Sequence, residues 1–391
     1  MKIEINKIKT TPKSLGFNFC VYGEPSDEVS NWIQYWSFDA VKSGPYTNIL
    51  IHEDTNLNDI FVTPKTYNYV DGFSPNLNKN LHVGHLSNLV IANAFQHLNI
   101  GGDFISIFGD TLTGNVNKHD AHVKFKEIIN MFGYTVHQEF FASEMKLDET
   151  LLKDGTGDYV GSKIFDLEDE QIVGIKSNGT TTYFYQDVAL ANSLSAPTLY
   201  LTGLEQDNHF KSLKKLFPNI HHLGLGLVSL DGKKMSSSEG NVIYLIDFIF
   251  NLMDKFEHNI DLVANIIIGQ ILKSEPKSTK SIDTKLIENP KLSLGLYLSY
   301  TMAHIKSCGV TTKEFHTYQS KQLQFAELRA KINLSPNILF DELVNHCKYI
   351  NKLYETNYIK DNPENIELFS NLISDLELGM LRLGMFSVNK V

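Results

Sequence analysis

Between Tyr67 and Phe108 the chain runs through a short strand, a broken loop, a helix and a second strand. This unit, more than any other stretch, limits what the chain can fold into. Tyr67-Asn-Tyr-Val70 reads as the first strand, and Ser74-Pro75-Asn76 breaks it. A helix opens near His85 and carries Leu86, Leu89, Ile91, Ala94, Phe95 and Leu98 at helical spacing. Gly101-Gly102 ends it, and Phe104-Ile-Ser-Ile-Phe108 follows as a buried strand. Such a β-loop-α-β unit is the building block of a doubly wound parallel sheet, with ligands bound beyond the strand ends.

The rest of the chain extends this pattern. Strand-like segments recur at Thr182–Tyr185, Thr198–Thr202 and Leu223–Leu230, with helices at 208–217 and from Ile243. Residues 112–178 are more polar and read as an insertion, with a helical stretch at 121–132. Later segments at 261–272, 291–307, 320–332, 338–357 and 365–384 are helical in period, and Ser274–Thr284 reads as a loop. The expected fold is an α/β, Rossmann-like catalytic domain over 66–255, inserted at about 112–178. An N-terminal extension over 1–65 packs on it, and an all-α domain over 256–391 follows.

At 391 residues there is material for two or three domains. No apolar run approaches the roughly 18 residues that span a bilayer, and the N-terminus has no signal-peptide core. Cys20, Cys308 and Cys347 form no metal or disulfide pattern, which points to a reducing cytoplasm. A net charge of −10 argues against non-specific nucleic-acid binding, but a local lysine patch can still meet RNA.

Two short segments carry chemistry. In His82-Val83-Gly84-His85 the opening of a helix offers free N–H groups to phosphate. Gly84 admits a nucleotide close to the backbone, and both histidines can donate to phosphate oxygens as charge develops. Asp231-Gly232 then turns into Gly232-Lys233-Lys234-Met235-Ser236-Ser237-Ser238-Glu239-Gly240-Asn241, a cationic loop between a strand and a helix. Flexible lysines there can hold the outer phosphates of a nucleotide during transfer.

Together, in this order, the two segments resemble the ATP-handling signatures of class I aminoacyl-tRNA synthetases. The flanks narrow the likeness. Asp71-Gly-Phe-Ser-Pro-Asn76-Leu-Asn-Lys79 ahead of the histidines resembles the corresponding segment of the arginyl-tRNA synthetase family. Gly179-Thr-Thr-Thr-Tyr183-Phe-Tyr-Gln-Asp187-Val-Ala189 is similar to that family's Gly-Thr-x-x-Tyr-x-x-x-Asp-Ile-Ala segment. Glu205-Gln206-Asp207-Asn208-His209-Phe210 resembles its Gln-Asp-x-His-Phe segment, and Gly295-Leu-Tyr297-Leu-Ser-Tyr300 its Gly-x-Tyr-x-Gln-Tyr. The tail Leu378–Met385 resembles its closing helix. The likeness covers about 70–391.

The resemblance implies ATP-dependent activation of arginine, with Mg²⁺ on the nucleotide, and transfer to tRNA by a monomer. It places Asp71 and Asp187 as guanidinium acceptors, with Tyr183 adding a hydroxyl. A planar, permanently charged guanidinium needs carboxylates placed for forked hydrogen bonds. Asn76 and Gln206 match positions that hold the substrate's α-ammonium end. ATP falls to His82, Gly84, His85, Gly109, Asp110, Met235, Ser236 and Ser238. Lys79 and Lys234 join the histidines as catalytic groups, and no metal-ligand set is expected in the protein. Ser237 stands where a second loop lysine is usual, and Lys79 sits where some family members carry a substitute lysine.

Several positions depart from the family. Gly109-Asp110 lacks the Trp-Gly-x-Gln that commonly follows, and Ser87 and His304 replace usual arginines. Residues 1–70 show no likeness to the family's extra N-terminal domain, so a compact form is expected. These losses bear on tRNA recognition more than on activation. They leave an alternative in which a repurposed paralogue hands arginine, or an analogue, to another acceptor. A degenerate, non-enzymatic RNA-binding relative is a third reading, disfavoured by the retention of the full residue set.

Overall fold

The computed structural model describes residues 1–11, 18–111, 117–147, 149–234, 243–357, 359 and 362–389. The described chain divides into two compact units, Thr66–Ser293 and Met1–Lys65 with Leu294–Val391.

The first unit is built on a five-stranded, wholly parallel sheet. Its strands are β1 (Tyr69–Asp71), β2 (Asp103–Phe108), β3 (Gln138–Phe141), β4 (Thr198–Gly203) and β5 (Ile220–Leu225), in the spatial order β3-β2-β1-β4-β5. The order reverses at β1, between β2 and β4, and in such sheets the crevice beyond that switch point takes the ligand. Apolar residues of β1, β2 and β4 such as Val70, Ile105, Leu199 and Tyr200 are fully buried, as strands covered on both faces require.

Helix α1 (Leu86–His97) crosses from β1 to β2. It buries residues around nearly its whole circumference, including the polar Ser87 and Asn93. A 3₁₀ turn over Val83–His85 precedes it, capped by His82.

Several sequence expectations change. Thr182–Tyr185 is not a strand but the start of α2 (Tyr183–Leu194). Thr182 is its N-cap, accepting the Tyr185 N–H, and Phe184, Val188 and Ala191 recur at helical spacing against the sheet. The aromatic, β-branched composition imitated a strand because this helix buries most of its surface. Leu223–Leu230 is broken: β5 stops at Leu225, and β6 (Val228–Leu230) belongs to a second sheet with β7 (Lys233–Lys234) and β8 (Lys280–Ile282). The expected loop Ser274–Thr284 therefore contains a strand. Within the expected insertion, helix Lys118–Met131 and edge strand β3 belong to the parallel sheet's own winding. A small antiparallel sheet of Lys153–Asp154, Lys163–Asp166 and Gln171–Ile175 lies in the same stretch.

In the second unit, four antiparallel strands (Lys9–Thr10, Phe19–Tyr22, Tyr46–Leu50 and Asp39–Ser43, in spatial order) join helices Leu294–Ser307, Lys321–Ile332, Asn337–Thr356 and Pro363–Arg382. Phe19, Trp32 and Phe61 share one core with Phe325 and Leu328 of helix Lys321–Ile332, the Phe19 and Phe325 rings lying 4.5 Å apart. Residues 1–65 thus bury their apolar face with the C-terminal helices. Helix Ile260–Leu272, assigned by sequence to the C-terminal domain, lies in the sheet unit instead. Among the described residues, no helix is long and apolar enough to cross a membrane.

Candidate active site

A cleft of about 350 Å³ opens at the carboxyl ends of β1 and β4, at the switch point of the sheet. Asp71, Ser74, His82, Gly84, His85, Asn88 and Gln206 line it, with Leu225–Val228 forming an apolar wall. Residues from four separate sequence segments meet here.

Asp71 ends β1 and is only 4% exposed. The Ser74 hydroxyl donates to its Oδ1 and accepts the Ile107 N–H at 2.9 Å. Burial pushes the Asp71 carboxyl up to about 7. The Ser74 hydrogen bond opposes that shift, and the negative charge of Asp187 adds to it. Tyr200 pairs across the sheet with Asp71. The hydroxyls of Tyr200 and Tyr134 are buried, and neither has a hydrogen-bond partner among the described residues. Burial raises both phenols, and the charge on Asp71 contributes to each. The cleft floor thus carries a buried carboxylate, with two unsatisfied tyrosine hydroxyls outside the cleft lining, and a buried carboxylate favours a cationic, many-donor ligand.

Asp187, on α2, is held by His209, whose Nε2 lies 2.6 Å from its Oδ2. Phe184 and Phe210 pack edge-on against the His209 ring. Gln206 precedes helix α3 (Asp207–Leu216) and is exposed. A relay anchors that helix start: Thr202 Oγ1 lies 2.8 Å from His222 Nε2, and His222 Nδ1 lies 2.9 Å from Asp207 Oδ1. Asn76 Nδ2 meets the half-exposed Tyr183 hydroxyl at 3.5 Å, and neither residue lines the cleft.

The two histidines are fixed by their own backbone. His82 Nδ1 accepts the Gly84 N–H at 3.1 Å, so the neutral ring carries its proton on Nε2. His85 Nδ1 lies 3.1 Å from both the N and the O of His82, and the ring centroids are 4.1 Å apart. Burial lowers His82, assisted by the charge of Lys79. Burial and then His82 push His85 down to about 4. Both rings are neutral at pH 7, and His82 presents an N–H donor.

Asp187 and the remaining predicted residues stand apart from the cleft lining. Gly109 bridges to Asn76, and its carbonyl accepts the Leu77 N–H at 2.9 Å. A Cβ at Gly109 would come within 3.1 Å of the Asn76 side chain. Asp110 accepts the backbone N–H and the hydroxyl of Ser143 at 2.8 and 2.6 Å. Lys79 is exposed and lines a separate hollow of about 200 Å³ with Leu81, Lys124, Tyr244 and Asp247. Lys234 pairs by its backbone with Ser229. Met235, Ser236 and Ser238 lie outside the described residues. Sequence reasoning did not single out Ser74, Tyr134, Tyr200 or His209. Ser74 and His209 lie inside quoted motifs and could have been found there, whereas the two tyrosines carry no local signal.

No family model matches the chain. It is 33% identical over 189 residues to the arginine–tRNA ligase of Limosilactobacillus fermentum, covering 41% of this chain and 33% of that protein. It is 28% identical over 265 residues to that of Limosilactobacillus reuteri (56% and 46% covered). With the Lactobacillus johnsonii arginine–tRNA ligase the identity is 23% over 390 residues (70% of each). The matches thus span a third to about half the length of the first two relatives. Among solved structures, arginyl-tRNA synthetase from Thermus thermophilus superposes with a TM-score of 0.67 at 16% identity, covering 98% of this chain and 96% of that one. The Plasmodium falciparum arginyl-tRNA synthetase gives 0.61 at 16% identity, covering 98% and 94%. At such identities the superpositions establish a common fold.

Proposed function

We propose that this chain, which belongs to the class I arginyl-tRNA synthetase family, activates arginine with ATP and transfers it to tRNA. The observation that carries the reading is the buried Asp71 carboxyl at the floor of the cleft that His82, Gly84 and His85 also line. A permanent cation there compensates a carboxylate that is otherwise costly to enclose. Asp187, braced by His209, supplies the second acceptor. Tyr183 and Asn76 close the outer side, and Gln206 holds the α-ammonium end.

ATP takes the other half of the cleft, its base against Leu225–Val228 and its α-phosphate at the histidines. An oxygen of the arginine carboxylate attacks the α-phosphorus. The new P–O bond forms as the bond to the β-phosphate oxygen breaks, and pyrophosphate leaves. The neutral histidines stabilise charge on the phosphoryl oxygens without a proton leaving the protein, so catalysis is positioning plus electrostatics. Lys79 and Lys234 neutralise the leaving pyrophosphate. A terminal ribose hydroxyl of tRNA then attacks the carbonyl carbon and releases AMP. Among the described residues there is no cluster of three or more metal-ligating side chains. Mg²⁺ would arrive on the ATP phosphates, as it commonly does.

Arginine-dependent pyrophosphate exchange, with and without tRNA, tests the reading. Exchange with arginine and tRNA supports it. Exchange that ignores tRNA redirects the activated arginine to another acceptor, and no exchange under either condition sinks it.

A pH dependence follows. The free site holds Asp71 at about 7, and a guanidinium binds only its ionised form. Below that pH, kcat/KM for arginine falls about tenfold per unit, and above it the profile is flat. KM for ATP stays constant between pH 7 and 8, because burial holds both histidines below the usual imidazole range and hence neutral there. Initial rates across pH check both limbs, and an arginine profile flat from pH 6 to 8 contradicts the assignment.

A further inference from the structure

Lys273-Ser-Glu-Pro-Lys-Ser-Thr-Lys280 is a polar run of the kind that usually lies in solvent. Its last lysine does not: Lys280 is 2% exposed. Its Nζ donates to three backbone carbonyls, Pro276 at 2.8 Å, Ser278 at 3.0 Å and Glu275 at 3.1 Å. An ammonium with three donors is used up by these contacts, and they fold the 275–278 loop around it. Burial lowers this lysine to about 8, with no carboxylate raising it. The side chains of Glu275 and Lys277 on the same loop are exposed.

The loop so fixed meets the cleft wall directly. The Gly226 N–H donates to Pro276 O at 2.9 Å, and the Lys280 N–H donates to Leu227 O at 2.9 Å. The approach is close enough that a Cβ on Gly226 would lie 2.1 Å from Ser278 O. Gly226 and Leu227 both line the cleft. The same strand also steadies the turn that leads into the lysine segment. Ser281 Oγ accepts the Gly232 N–H at 2.9 Å, and the Asp231 carboxylate accepts the N–H and hydroxyl of Thr284, each at 2.8 Å.

We propose that Lys280 is a positioning residue for the nucleotide. Its ammonium organises the 275–278 loop, which holds the Gly226–Leu227 wall in the shape that receives ATP. The inference rests on the synthetase reading above and adds to it a residue remote from the reacting atoms. Its selectivity is its signature: the wall serves the nucleotide half of the cleft, so arginine binding at Asp71 is spared.

Calorimetric titration of the full chain with ATP, beside steady-state pyrophosphate exchange, tests it. Lys280→Met keeps the aliphatic stem and removes the ammonium. It weakens ATP binding about tenfold, the scale on which small misplacements act, with KM for arginine unchanged. Lys280→Arg, which keeps the charge and its donors, recovers part of the loss, and exposed Lys277→Met has no effect. Should Lys280→Met not fold, Gly226→Ala strains the same contact from the other side and produces the same selective loss. A folded Lys280→Met that binds ATP within twofold of wild type, or that weakens both substrates alike, overturns the inference alone. A wild-type chain that binds no ATP overturns the synthetase reading and this inference with it.

Discussion

Asp71→Asn lowers kcat/KM for arginine by about a thousandfold and leaves ATP affinity as it was. The magnitude follows from what the substitution removes. A guanidinium taken out of water loses a desolvated carboxylate partner, and breaking such a pair costs about 3–5 kcal/mol. The Asn amide also presents donors toward donors, which adds discrimination rather than relieving it. Ser74 still finds an acceptor in the Asn carbonyl, so the cleft keeps its shape.

The same variant changes stability in the opposite direction. The Asp71 carboxyl stands at about 7 in the fold against 3.8 in the open chain. An acid raised in this way favours the folded state below pH 3.8, and that contribution drains away as pH rises through about 7. Asn has no such term. Ligand-free Asp71→Asn is therefore more stable than wild type at pH 8, by an amount on the order of a few kcal/mol, and the two converge near pH 4. Thermal melts at the two pH values read this directly. A variant that keeps arginine activation within tenfold of wild type, or melts below it at pH 8, would sink the assignment of Asp71. The pairing of lost activity with gained stability marks a group held in an unfavourable state for its ligand.

The sequence disclosed the site in proportion to how local its parts are. His82, Gly84 and His85 sit on one turn whose caps are made by the same residues, so a four-residue motif carries nearly all of that geometry. Asp71 and Ser74 are three apart and meet across one strand end. Tyr134 and Tyr200 are invisible at that range. They reach Asp71 from a loop and from the neighbouring strand, and only the strand register of Asp71 against Tyr200 reveals the second. Thr182–Tyr185 misled because a helix buried on most sides carries the composition of a strand, and periodicity over four residues cannot separate the two. Lys280, inside the stretch read as the loop Ser274–Thr284, gave no signal of its burial. A lysine among Ser, Glu and Pro reads as solvated, and its burial is decided by Gly226 more than fifty residues earlier.

Lys79→Ala reduces kcat for arginine-dependent pyrophosphate exchange by about a hundredfold, with KM for arginine within threefold of wild type. Ser237 removes one cation from the usual loop, so the leaving pyrophosphate needs a positive charge from another element. Lys79 is exposed and sits close enough to His82 to lower its pKa. It also faces a hollow shared with Lys124, separate from the cleft that Asp71 lines. That position makes its charge available to the outer phosphates and irrelevant to the guanidinium, which is why the loss falls on kcat. Lys79→Arg keeps the charge and retains most of the rate. Lys124→Ala, in the lining of the same hollow, separates a specific phosphate contact from a general positive field: equal losses in the two alanine variants point to the field. An unimpaired Lys79→Ala returns the leaving group to the lysines of the 232–241 segment and the Ser237 position to the status of a simple loss.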